Sequence, residues 1–334
     1  MRILYLGDDW VGSNARSLAD GFRAAGHEVL VVDTTAVTLP ARLSPAWTYA
    51  KATGRRAPWD VAAVHDEIDA LARDFAPDML FAFKSVHLDQ ARLLSVPAAL
   101  RVHYSPDDVA NPENTSAEYL ARESEWDLIV TTKRHNVPEL RERGARAVAY
   151  VASAYDPAWH HPCARRGGER FLAGFIGARR PDRTGLLVDL ARAHGDDFVV
   201  YGPGWRRVAP LRRTRAAVRG PVYGERFSLA VAAVTANLVL LNSANRDTHT
   251  CRSYEIPAAG GLFVGERTAE HAELLTEGSE CFLFSSPAEL REILDRCARR
   301  PDEAAKVAEA GYRRIVTGAN SYLDRAREIV HAIG

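Results

Sequence analysis

The stretch Asn242–Gly261, NSANRDTHTCRSYEIPAAGG, sits between two apolar runs and concentrates side chains able to do chemistry. Its position predicts a polar loop running into a short helix, with the next strand beginning at Leu262. Asp247 and Glu255 stand eight positions apart in it. A carboxylate offers two acceptor oxygens, so the helical Glu255 suits the vicinal hydroxyls of a ribose and the loop Asp247 suits those of a sugar. Arg252, on the first helical turn, can face a phosphate. A purely local reading also accounts for these residues: Asp247, Thr248 and Thr250 are good helix caps, and Glu255 a surface charge. The residues alone leave both open.

Phe175-Ile176-Gly177 ends a second apolar run, and Ala178–Arg183 (ARRPDR) leads into a helix. A glycine at a strand end before a helix lets backbone N–H groups approach an anion, and the arginines add charge-assisted bonds. Without a GxGxxG or Walker pattern, a solvated turn is the better reading of the glycine alone. His103 and Tyr104 precede Ser105-Pro106-Asp107-Asp108, in which the paired carboxylates suit acid–base work or a capped turn. Asp8-Asp9 forms a second acidic pair after the first apolar run. His160-His161 have no Cys or His at metal spacing and read as structural or surface residues. No DxD pattern stands at Asp107-Asp108, so no metal site is expected.

The elements that must carry these groups follow from periodicity. Ile3–Gly7, Val29–Asp33, Met79–Phe83, Leu100–Tyr104, Leu128–Thr132 and Val148–Val151 are apolar on both faces, as buried parallel strands require. Leu18, Phe22 and Ala25 line one helix, closed by Gly26; Val61, Val64, Ile68, Leu71 and Phe75 line another. Ala154–Gly168 breaks the pattern with prolines and glycines and reads as a linker. The alternation restarts with strands at Phe171–Gly177, Phe198–Gly202, Leu238–Asn242, Leu262–Gly265 and Cys281–Phe284. Helices are predicted near Arg183–Ala193, Arg226–Ala236, Arg252–Ala259, Ala288–Ala298 and Asn320–Ala332. The expected fold is α/β, with two Rossmann-like domains, 1–157 and 158–334, a ligand cleft between them, and the last helix packing back on the first.

Composition narrows the function. Lys plus Arg and Asp plus Glu are both 43 in 334 residues, so there is no global basic field for nucleic acid or membrane. The Arg-rich stretch Arg206–Arg219 reads as a solvated face or an anion rim. Four cysteines without CxxC spacing point to a reduced, cytoplasmic protein, and no apolar stretch is long enough to span a bilayer.

The block RSYEIPAAGGLFVGERTAEHAELLTEGSECFLFSSPAELREIL, with NRDTHT before it, resembles the C-terminal signature of the CgeB/spore-protein-like glycosyltransferases. HYSPDD, WDLIVTTKRHNVPELRERGA, YVASAYDPAWHHP, GFIGARRPDR and YGPGW follow in that family's order, so the resemblance covers nearly the whole chain. It implies the two-Rossmann GT-B architecture and similarity to retaining enzymes with a Glu-x7-Glu signature. Glu255 matches the second glutamate; Asp247 replaces the first and is shorter by one methylene. The same resemblance implies donor contacts by Gly12, Arg179, Arg183, Gly224 and Glu255, and Gly177, Thr250 and Arg252 join them as donor-side candidates. It gives His103 and Asp247 active-site roles, and Asp108, from its acidic pair, is a further candidate. A nucleoside-diphosphate sugar is then the donor, an acceptor hydroxyl the second substrate, and no metal or other cofactor is expected. UDP, GDP and dTDP donors all stay open, and the acceptor side falls on Trp10–Ser13, Leu39–Arg56 and Lys84–Leu88. Trp47, Tyr49 and Trp59 are expected to fill core beneath a long loop. Inversion would instead call on Asp107, Asp108 or Asp9 as base. A sugar-nucleotide epimerase and a non-catalytic binding module are the competing classes, and a dehydrogenase is the weakest.

Overall fold

The computed structural model describes residues 1–163 and 169–334, and the chain divides into two compact units. Met1–Ala152 with Tyr322–Gly334 form the first; Ser153–Ser321 form the second. The division falls after Ala152 rather than after Pro157. The last part of the expected linker, 164–168, lies outside the described residues.

The first unit runs β1 (Arg2–Gly7), α1 (Asn14–Ala24), β2 (Glu28–Asp33), α2 (Thr35–Thr38), α3 (Pro45–Thr53), α4 (Pro58–Phe75) and β3 (Met79–Phe83). It continues with α5 (Gln90–Ser95), β4 (Leu100–Ser105), α6 (Ala117–Arg122), β5 (Leu128–Thr131), α7 (Asn136–Glu142) and β6 (Val148–Tyr150). The second unit contains β7 (Phe171–Ile176), α8 (Pro181–His194), β8 (Phe198–Tyr201), α9 (Ala209–Arg212), β9 (Ala217–Arg219) and α10 (Glu225–Ala232). Then follow β10 (Val234–Val239), α11 (Arg252–Ala258), β11 (Leu262–Glu266), α12 (Ala269–Leu274), β12 (Phe282–Phe284), α13 (Pro287–Arg299) and α14 (Pro301–Thr317). The last helix, α15 (Tyr322–Ile333), belongs to the first unit and packs on α1.

Each unit holds a six-stranded sheet, β2-β1-β3-β4-β5-β6 in the first and β12-β11-β10-β7-β8-β9 in the second. The pairings are parallel, as two-faced apolar strands joined by helices demand. Leu4, Leu6, Leu80, Ala82, Ile129 and Trp126 are fully or nearly fully buried on one face of the first sheet. Phe175, Phe198, Trp205, Leu238 and Val264 do the same in the second. The second sheet has the Rossmann order, in which the chain leaves β7 in one direction and returns at β10 in the other. The connections that follow β7 and β10 therefore leave in opposite directions along the sheet, and those that follow β1 and β3 do so in the first unit.

Several elements depart from the sequence-based expectation. The helix expected over 226–236 ends at Ala232, and β10 begins at Val234 rather than Leu238. The tract VAAVTANLV has helix-compatible small residues, but Ala236 and Leu238 are claimed by parallel pairing to Ala173 and Phe175. Asn237, buried, donates its side-chain amide to the Val231 and Val234 carbonyls and fixes the turn. The short edge strand β9 and the long α14 were not expected. The buried face of α14 consists of Ala304, Val307, Ala308, Gly311 and Ile315, at helical spacing. α15 is held against α1 by close backbone approach: a Cβ on Gly21 would lie 2.4 Å from the Tyr322 carbonyl oxygen.

Candidate functional site

The second unit gathers most of the expected donor residues at the carboxyl ends of β7 and β10. Gly177 follows β7, with its N–H bonded to the Tyr201 carbonyl at 2.9 Å and its own carbonyl held by the Trp205 indole at 2.7 Å. Gly202 sits at φ +139°, where a Cβ would come within 2.1 Å of the Gly177 oxygen. Only glycine fits there, so the strand ends form a tight backbone cradle. Arg179, exposed, continues the cradle through its N–H to Pro203 O at 3.0 Å.

Arg183 lies on the first turn of α8 with its side chain only 11% exposed. It donates to the Leu241 carbonyl just past β10 at 3.1 Å and lies over the Phe175 ring. Burial lowers its pKa, opposed by Asp182 and more weakly by Asp247 and Glu266. Its Nε is buried without a hydrogen-bond partner. Asp182 accepts from the Ser243 N–H and hydroxyl at 3.0 and 2.9 Å. These bonds hold its carboxyl below the usual range despite burial. Asp247 closes its loop by accepting from the Asn242 N–H at 3.1 Å. Glu266, at the end of β11, accepts from Leu241 N–H, and burial raises its pKa. One cation and three carboxylates thus surround the end of β10.

α11 supplies the other half. Thr250 caps its first turn, accepting from Arg252 N–H at 3.2 Å, while its own N–H donates to Ser253 Oγ. Arg252 donates its Nε–H to the Ile176 carbonyl at 3.2 Å, beside Gly177, and pairs with Glu255 through the other arm of its fork. Glu255 is 2% exposed, so it is not the surface charge that local reading allowed. The Arg252 guanidinium rests on the Phe227 ring at 4.6 Å. Gly224, at φ +55°, opens the helix that carries Phe227 and lies buried there.

His160 completes this cluster and was not expected in it. Its ring packs edge-on against Phe227 at 5.1 Å and its Nε2 lies 3.8 Å from Glu255. The Asp156 N–H donates to Nδ1 at 2.9 Å, which puts the proton of the neutral ring on Nε2, toward the carboxylate. Burial lowers its pKa, with Glu255 opposing. A histidine in a proline-rich segment carries no periodic signal, so only tertiary packing reveals it.

The expected residues of the first unit fare differently. His103 lies inside β4, with no exposed surface. Its ring packs against Tyr119 at 4.4 Å and Trp126 at 5.3 Å, and both nitrogens lack hydrogen bonds. A ring so enclosed cannot touch a substrate, and the catalytic expectation is corrected to a core position. Asp108, 1% exposed, accepts from Ala110 N–H at 2.9 Å and Asn136 Nδ2 at 2.8 Å. It staples its loop to the start of α7, which is the capped-turn reading rather than the catalytic one. Asp107 pairs with Lys84 across the ends of β3 and β4. Asp8 accepts from the hydroxyls of Thr34 and Thr38. Asp9 lies by Arg16 at 3.8 Å. Gly12, at φ +94°, precedes the Ser13 cap of α1. Trp47, Tyr49 and Trp59 do not fill core: Trp59 is 49% exposed and Trp47 lines an open cavity.

Burial holds the His103 pKa down to about 3. Its unfolded value is near 6.5, so its stability contribution is whole above that pH and is lost as pH falls toward 3. That loss amounts to about 2 kcal/mol between pH 6.5 and pH 5. His103→Leu, which also removes two unsatisfied nitrogens, is expected to raise the urea midpoint more at pH 5 than at pH 8. Equal shifts at the two pH values would exclude this account.

Among the described residues, no group of three His, Cys, Asp or Glu could hold a metal ion, and no helix is long and apolar enough to cross a membrane. Residues 179–331 match a protein-family model described as glycosyl transferase-like. Among curated proteins, none matches this chain. Among solved structures, Anabaena HepE in complex with UDP-glucose is 16% identical with a TM-score of 0.66, over 100% of this chain and 99% of that one. Sucrose-phosphate synthase from Thermosynechococcus elongatus is 12% identical with a TM-score of 0.69, over 99% and 98%. A putative UDP-N-acetylglucosamine 2-epimerase from Listeria monocytogenes is 13% identical with a TM-score of 0.57, over 99% and 95%. The fold is that of GT-B glycosyltransferases, built on two Rossmann-like units.

Proposed function

We propose that the chain is a glycosyltransferase moving a hexosyl group from a nucleoside-diphosphate sugar to an acceptor hydroxyl. The observation that carries this reading is the convergence of Arg183, Arg252 and Glu255 with the Gly177–Gly202 cradle where the connections after β7 and β10 part. That crevice is where a Rossmann-ordered sheet receives a ligand. The glycosyl transferase-like match over 179–331 contains all but Gly177 of this set. HepE, which shares the fold, is a complex with UDP-glucose, and UDP is therefore the donor nucleotide proposed for this chain.

In this reading Arg183 and the N-terminus of α8 stabilise charge on the departing diphosphate. Glu255 accepts from the ribose hydroxyls, positioned by Arg252 and His160. Asp247 and Glu266 offer acceptors to the hexose. With arginines supplying the positive potential, no metal is required. The leaving phosphate oxygen takes the acceptor proton on the same face, so configuration is retained; the likeness to CgeB-type enzymes supports this outcome. Incubation with UDP-glucose and an acceptor library is expected to release UDP equally with and without EDTA. Anomeric NMR of the product would reject retention by showing the opposite anomer, and a tenfold loss on chelation would reject metal independence.

The Listeria neighbour supports a second reading, epimerisation of the sugar nucleotide itself. Conversion of UDP-N-acetylglucosamine to its epimer without any acceptor would favour it.

A further inference from the structure

The first unit contains a cavity of about 1320 Å³, far larger than its own packing requires. It is roofed by the segment that carries α3 and leads into α4, and floored by the turn after β3 and the loop before α6. Leu39, Pro40, Trp47, Val61 and Val86 give it an apolar lining, and Leu39 is 58% exposed. Such a lining, half open to water, suits a body with an apolar face.

Its charges are unequally committed. On one wall stand Lys51, Arg55 and Arg56, none with an ion-pair partner among the described residues. Arg92, also in the lining, is tied to Asp66 and Asp69. On the opposite wall, Asp89 accepts from Arg92 N–H at 3.0 Å and Glu118 from Gln90 N–H at 2.7 Å, leaving Glu113 uncommitted. Lys51, Arg55 and Arg56 thus form a basic group in the lining without an ion pair among the described residues.

Arg56 is the best placed of the three. It is half-buried, and burial lowers its pKa, opposed by Asp8, which follows β1. Its charge also reaches His87, after β3, whose pKa burial chiefly lowers to about 4. Arg56 and His87 line the same cavity, and His87 follows β3, so the cavity adjoins the β1–β3 switch point, where an open α/β sheet receives its ligands. A guanidinium held partly out of water with no carboxylate in ion-pair contact gains more from an arriving anion than an exposed lysine does.

We propose that this cavity binds a small molecule joining an apolar or aromatic body to an anionic group, phosphate or carboxylate, with the anion on Arg56. The inference rests on the glycosyl-transfer reading, in which it gives the chemical class of the acceptor.

Calorimetric titration with phenyl phosphate, phenylacetate and benzyl alcohol tests it on the full chain, with UDP titrated in parallel. At least one anionic probe is expected to bind tenfold or more tightly than benzyl alcohol; comparison of the two assigns phosphate or carboxylate. Arg56→Ala should remove that gap while leaving UDP affinity and the melting temperature unchanged, and Arg56→Lys should keep part of it. Rising salt should narrow it. Equal binding of all three probes, an unaltered gap in Arg56→Ala, or displacement of the anionic probe by UDP would each overturn the proposal. Failure of UDP itself to bind would count against the donor reading and leave the probe result standing.

Discussion

Arg183→Ala is expected to lower kcat/KM for the UDP-sugar by about 10²–10³, the usual loss when one preorganised donor to a developing negative charge is removed. The size of the effect follows from how the side chain is held. One arm of the fork is fixed on Leu241 O at 3.1 Å, the guanidinium lies on Phe175, and Nε has no hydrogen-bond partner. The group is desolvated yet charged, and its nearest carboxylate, Asp182, is 3.8 Å away and engaged with Ser243. A diphosphate at the strand ends would complete its coordination without reorganisation. Arg183→Lys keeps the charge but not the planar fork, and should recover only part of the loss. Steady-state kinetics and a UDP titration on both variants check this. If Arg183→Ala retained more than a third of wild-type kcat/KM with normal UDP affinity, the diphosphate would have to sit elsewhere.

The second large effect belongs to Glu255. Glu255→Gln preserves shape but removes the charge that pairs with Arg252 and faces His160. Hydrogen bonds to a charged group are worth about 1.5–3 kcal/mol, so kcat/KM for the donor should fall about 10–100-fold. Because a ribose contact is made in both ground and transition states, most of the loss should appear in KM rather than kcat. Stability should also fall, since Arg252 would keep a partly buried charge without its carboxylate. Combining Glu255→Gln with Arg252→Met separates the two contributions. If the pair acts as one unit, the double variant will lose much less than the product of the single losses. Strict multiplicativity, with unchanged donor KM in Glu255→Gln, would reduce the pair to scaffold.

Much of this was readable before any coordinates. A strand buried on both faces must be apolar at every position, so Met79–Phe83 and its neighbours announce themselves, and alternation with amphipathic helices leaves few topologies. The polar loop into α11 was legible for the converse reason: Asp247, Arg252 and Glu255 interrupt an apolar context. Helix α14, though not among the expected elements, carries the same kind of signal, with Ala304, Val307, Ala308, Gly311 and Ile315 at helical spacing. The start of β10 escaped notice because VAAVTANLV satisfies a helix locally, and only its neighbours β7 and β11 decide otherwise.

The sequence by itself determined the two α/β units, their strands and the chemistry available at the strand ends, because these depend on local pattern and on which residue types can carry charge. Tertiary structure alone decided what each polar side chain faces. It buried His103 between Tyr119 and Trp126 inside a strand, turned Asp108 into a loop staple, and brought His160 beside Glu255 from a segment with no pattern. The physical reason is that charge and hydrogen-bonding capacity belong to the residue, whereas dielectric and partners belong to the place where folding puts it.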